Sequence, residues 1–182
     1  MEHSEPSNNT DTQTTQGEKA MVDHGDLDGK KILIVDDEED VLESLKELLS
    51  MCFITTAFSK EEALRLIETR RFDLCILDIM GVDGYALLKA AKEKKLLAVM
   101  LTAHAFSLEN TLKALKEGAA AYLPKEKLDQ IDVFIKDVLE AEAKGKNHWW
   151  RWFERLGSFY EKKFGSDWTE EDKDFIRKRI SY

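Results

Sequence analysis

Short apolar runs recur through the middle of the chain, each followed by apolar positions at helical spacing. Leu74 to Leu77 (LCIL) shows no polar alternation, which reads as a strand buried on both faces, as in a parallel sheet. Lys31–Val35 (KILIV), Phe53–Phe58, Leu97–Leu101 (LAVML) and Ala119–Leu123 complete a set of five predicted strands, the central one spanning Asp73–Leu77. Between them Val41, Leu42, Leu45, Leu48 and Leu49 repeat as one helix face. Ser59 with Glu62 makes a capping box for the helix holding Ala63, Leu64 and Ile67. Further helices are predicted from about Gly84 through Lys94, from Ser107 to Glu117 with Gly118 as C-cap, and from about Leu128 to Ala143. This strand–helix alternation over residues 30–144 predicts an α/β domain, a parallel sheet with helices on both faces. Right-handed crossovers restrict its topology.

The flanks differ from this pattern. Residues 1–28 are polar, with little apolar content, and are expected to form a disordered tail. Residues 29–144 form the predicted domain, and residues 145–182 a helical extension holding all four tryptophans. Trp149, Trp152, Phe153, Leu156, Phe159, Tyr160 and Phe164 share one broad apolar helix face, which Gly165-Ser166 ends. Thr169 with Asp172 caps a second short helix. The extension is expected to pack on the domain, on its own copy in a homodimer, or on a partner protein.

Four of the five strands end in polar residues that cheap burial does not explain: Asp36 and Asp37, Asp78, Thr102 and Lys125. Open α/β sheets place ligands at the C-terminal ends of their strands. Asp78 alone reads equally as a turn cap or as a reactive or metal-binding carboxylate. Its company favours a phosphoryl-accepting site. Asp78 is then the nucleophile, and Asp36 and Asp37 help bind Mg²⁺, a hard cation suited to clustered carboxylates. Lys125 pairs with Asp78 and then with the phosphoryl group, to which Thr102 donates its hydroxyl. Glu38 and Glu39 fit a solvated helix N-terminus.

The motifs ILIVDDEEDV, LCILDIMGVDGYALL, VMLTAHA and GAAAYLPK together resemble the receiver domain of two-component response regulators, over about residues 30–143. The resemblance implies a flavodoxin-like fold with strand order 2-1-3-4-5. It also implies phosphotransfer to Asp78 from a sensor histidine kinase or phosphotransfer protein, and signalling to an output protein. The family's switch pair maps onto Thr102 and Tyr122, and its backbone-carbonyl metal ligand onto Met80. Met80 and His104 hold the positions that tune phosphate lifetime; Met80 brings no charge, and His104 either modulates or points to solvent. The chain departs from the family in three places. Asp83-Gly84 arrives about two residues early and the loop's Pro is absent, so the loop after Asp78 is short. Pro124 precedes Lys125 rather than following it. The lifetime positions carry the residues just named.

A formal net charge of −9 argues against general nucleic-acid binding. The extension's nine basic and seven acidic residues are too balanced for a nucleic-acid stripe. Cys52 and Cys75, far apart in apolar surroundings, read as free thiols in a reducing compartment. With no membrane-length apolar run and no signal core, a cytoplasmic location is expected. Two other functions are weaker: a Mg²⁺-dependent phosphohydrolase, which wants Asp-x-Asp after the first strand, and a DNA-binding regulator acting through the extension. The expectation is therefore a signalling protein rather than an enzyme.

Overall fold

A computed structural model describes residues 27–103 and 107–164, with residues 174 and 178. Five strands, β1 (Lys31–Val35), β2 (Phe53–Ala57), β3 (Leu74–Asp78), β4 (Leu97–Thr102) and β5 (Ala121–Pro124), form one parallel sheet in the order 2-1-3-4-5. The helices around it are α1 (Glu39–Leu48), α2 (Lys60–Thr69), α3 (Gly84–Glu93), α4 (Leu108–Glu117), α5 (Ile131–Ala143) and α6 (Trp149–Phe164). This is the flavodoxin-like arrangement that the family resemblance implied.

All five residues of β3 are buried, as expected of a central parallel strand covered on both faces. β1 follows, with only Lys31 exposed. The helices contribute Leu42, Leu45, Ala63, Ile67, Leu87, Leu88, Ala91, Phe134 and Ile135 to the same core. The local signals read from sequence are in place. Ser59 Oγ accepts from the Glu62 amide at 3.3 Å, the forward half of a capping box, while Glu62 Oε2 reaches back one residue beyond the cap to accept from the Phe58 amide at 3.0 Å. Gly118 ends α4 with φ 98°, the left-handed conformation that glycine adopts without penalty.

Some boundaries move, that of β5 among them, which starts at Ala121 rather than Ala119. Leu27, assigned from sequence to the tail, is buried, and its carbonyl accepts from Lys30 N and Cys52 Sγ. A 3-10 turn over Lys125–Gln130 precedes α5, which therefore begins at Ile131 rather than near Leu128. Cys75 is buried and Cys52 half-buried, both free, and burial pushes both thiols up. No helix among the described residues is long and apolar enough to cross a membrane.

The extension folds onto the domain. Trp149, Trp152 and Leu156 of α6 are buried in the common core. The Trp149 indole donates to the Ala119 carbonyl at 2.8 Å, just before the outer strand β5, and the Trp152 indole to the Tyr122 carbonyl at 2.5 Å, within it. On α5 the buried Asp137 accepts from Arg151 at 2.7 Å and from Arg155. Burying a large side chain contributes about 1.5–3 kcal/mol, so three of them account for α6 leaving solvent. The second helix expected after Thr169 lies outside the described residues.

Candidate functional site

Parallel strands bring all their C-terminal ends to one edge, and the register decides which residues meet there. Val35 pairs with Leu77, so Asp36 stands level with Asp78. Asp78 pairs with Leu101, placing Thr102 one step further out, and Thr102 pairs with Pro124, placing Lys125 one step beyond that. Asp36, Asp37 and Asp78 each bring a carboxylate oxygen within 4.8 Å of the others. Asp36 and Asp78 are buried, while Asp37 is exposed.

Lys125 closes this cluster. Its Nζ lies 2.7 Å from Glu38 Oε1, 2.8 Å from Asp36 Oδ2 and 3.0 Å from Asp78 Oδ1. Burial alone would lower the Lys125 pKa, but the close carboxylates of Asp36, Glu38 and Asp78 outweigh it and hold the ammonium well above its ordinary value. Burial raises Asp36 above the usual carboxylate range, against the pull of Lys125 and of the Glu38 amide, which donates to Oδ1 at 3.0 Å. The buried Asp36 Oδ2 has the charge of Lys125 beside it but no well-directed hydrogen bond.

Asp78 is held from its own loop. Oδ2 accepts from the amides of Met80 at 3.0 Å and Gly81 at 2.8 Å, leaving Oδ1 turned to Lys125. The short loop is drawn tight beneath it. A Cβ on Gly84 would stand 2.1 Å from the Asp78 carbonyl oxygen, and one on Gly81 would stand 1.9 Å from Asp37 Oδ1. At Gly84 the neighbour is backbone and only glycine fits, whereas at Gly81 the Asp37 carboxylate would have to give way. Asp83 takes the left-handed conformation at φ 53° as the N-cap of α3, and its Oδ2 pairs with Lys60 at 2.6 Å.

The mouth thus unites Asp36, Asp37, Asp78 and Lys125. Thr102 and Tyr122 are both fully buried, and their side chains are hydrogen-bonded to each other. Met80 offers its amide to Asp78, and its side chain is exposed. His104 lies outside the described residues. Sequence reading passed over Glu38, which holds Lys125, and Gly81, which lies against Asp37. Glu38 had no local signal, because its partner lies 87 residues away. Gly81 was visible as a glycine inside a shortened loop.

Three converging carboxylates and a buried Asp36 oxygen lacking a directed hydrogen bond fit a hard divalent cation. The same mouth presents a carboxylate oxygen beside an ammonium, the pairing needed to receive an anionic electrophile.

Comparison with known proteins points the same way. The family model described as the response regulator receiver domain matches residues 32–136. The alkaline phosphatase synthesis transcriptional regulatory protein PhoP of Bacillus subtilis is 39% identical over 102 residues, 53% of this chain and 42% of its own length. The transcriptional regulatory protein CpxR of Escherichia coli is 34% identical over 127 residues, 65% of this chain and 51% of its own. The chain thus spans about half the length of these relatives. Among solved structures, a receiver domain protein from Methanospirillum hungatei aligns with a TM-score of 0.54 at 33% identity, covering 63% of this chain and 98% of that one. The Francisella response regulator 1452 receiver domain gives a TM-score of 0.57 at 28% identity, covering 62% and 98%.

Proposed function

The chain belongs to the response regulator receiver family, and from that premise we propose that it accepts a phosphoryl group on Asp78 from a phosphohistidine of a sensor kinase or phosphotransfer protein. The convergence of Asp36, Asp37, Asp78 and Lys125 from the ends of three strands onto one edge carries this reading. Asp78 Oδ1 forms the new P–O bond as the donor's P–N bond breaks, and the departing imidazole keeps the electron pair of that bond. The Met80 and Gly81 amides hold Oδ2, so the carboxylate meets the donor already oriented. Lys125 loses a partner when Oδ1 is esterified and turns to the phosphoryl oxygens. Thr102 donates its hydroxyl to one of them, and Tyr122 follows as the second member of the switch.

Receivers generally bind Mg²⁺ at an acidic pocket. Asp36, Asp37, Asp78 and the Met80 carbonyl would hold it here. When bound it neutralises charge on the phosphoryl oxygens. Met80 and His104 would tune the lifetime of the product. Output passes through contact with another protein. The buried Trp149, Trp152 and Leu156 weigh against the extension reading DNA through its apolar face.

The test is incubation with a small-molecule phosphodonor and Mg²⁺, followed by intact-mass and peptide mass spectrometry. One added phosphoryl group on Asp78, absent from Asp78→Asn, is expected. A group on any other residue, or an unchanged yield in the variant, overturns the assignment.

A further inference from the structure

The helix α6 meets the acidic mouth through a single strand. β5 ends at Pro124, so Lys125 follows it directly. Two residues before that end, Tyr122 is fully buried with its phenol hydrogen-bonded to Thr102, the last residue of β4. The backbone carbonyl of the same Tyr122 receives the Trp152 indole N–H at 2.5 Å. One residue thus has its side chain tied to the mouth and its main chain tied to α6. A second mooring is independent of β5: Arg151 and Arg155 reach Asp137 on α5.

We propose that Trp152 is a positioning residue for the acceptor site: α6 docked on β5 holds Tyr122 inward on Thr102 and sets Lys125, so that docking of α6 and occupation of the mouth by a phosphoryl group favour one another. The proposal rests on the acceptor reading of Asp78. Its sign follows from the hydroxyl inventory. Thr102 has one O–H to donate and lone pairs to accept with. It can therefore donate to a phosphoryl oxygen while accepting from the Tyr122 phenol, and an occupied mouth keeps Tyr122 inward. Coupling between two sites is reciprocal, so what docking does for affinity, occupation does for docking.

The experiment uses the full chain with beryllium fluoride and Mg²⁺ as the phosphoryl mimic. Amide hydrogen exchange over residues 149–164 is followed together with the affinity for the mimic. Exchange in α6 is expected to slow about fivefold or more on binding. Trp152→Phe, which keeps an aromatic ring and loses the N–H donor, is expected to weaken the mimic by a similar factor. Trp150→Ala, at a ring 56% exposed on the same helix, is expected to leave the affinity unchanged. Mimic binding with unchanged or faster exchange in α6 overturns the coupling, as does a Trp152→Phe chain that binds as tightly as the parent. Both results leave the acceptor reading standing. Failure of the parent to bind the mimic at all overturns both. The exchange measurement on the parent decides the matter even where Trp152→Phe does not fold.

Discussion

Two ionic clusters in this molecule use the same chemistry to different ends. The mouth gathers Asp36, Asp37, Asp78 and Glu38 about one cation, Lys125. The seam between α5 and α6 sets Asp137 and Glu140 against Arg151, Arg155 and Lys144. Charges in the seam answer one another. Burial works to raise Asp137, yet hydrogen bonds from Arg155 and Arg151 outweigh it and hold its carboxyl below the ordinary range. The mouth keeps an excess of negative charge, and burial raises Asp36 in spite of Lys125. A cluster with a cation for every acid fastens two helices, whereas one with acids to spare calls for a cation and an anionic partner to follow it. The ratio of acids to bases, rather than their proximity, separates fastening from a ligand site.

Breaking the seam should cost the most. Trp152→Ala removes a buried ring and is expected to lower stability by about 3–5 kcal/mol in urea unfolding. Asp137→Ala should cost about 2 kcal/mol, less than a fully buried pair because both guanidiniums are 40% exposed. A loss below about 0.5 kcal/mol would make the seam an ordinary surface cluster.

At the mouth the contrast should reverse. Without Mg²⁺, Asp37→Asn should raise the melting temperature, because it relieves repulsion among three clustered carboxylates. Mg²⁺ at about a hundred times its dissociation constant should stabilise the parent by about 2.7 kcal/mol. Most of that gain should vanish in Asp37→Ala and persist in Glu39→Ala and Asp137→Ala. Equal losses in the Asp37 and Glu39 variants would remove Asp37 from the site.

Gly81→Ala sharpens the point within one loop. The added Cβ would stand 1.9 Å from Asp37 Oδ1, so loop or carboxylate must shift. Calorimetry should find Mg²⁺ binding weakened about tenfold, equivalent to about 1.4 kcal/mol. Unchanged affinity would show that Asp37 moves aside without loss.

The smallest effect is in pH. Asp137 has a lowered pKa in the folded chain, so its contribution is fully present above the ordinary value of 3.8 and is lost as pH falls through the lowered one. The stability gap between the parent and Asp137→Asn should stay constant through the neutral range and narrow only in acid. A gap that narrows near neutrality would point to a different titrating group.

Much of this molecule was legible because its signals are local. The unalternating LCIL run, the Ser59–Glu62 box and the Gly118 cap depend on neighbours within a turn or two, and the sequence alone determined them. It also determined that Asp36, Asp37, Asp78, Thr102 and Lys125 end their strands, since parallel strands share one edge. The depth of each residue at that edge was decided by the tertiary structure. Register sinks Asp36 and leaves Asp37 exposed, and Lys125 finds Glu38, 87 positions away, only once the chain between them has folded. The apolar face of α6 was readable from its spacing, but apolar surface does not specify what covers it. That choice fell to the indole donors meeting the Ala119 and Tyr122 carbonyls and to the arginines meeting Asp137, contacts that exist only once β5 and α5 stand side by side.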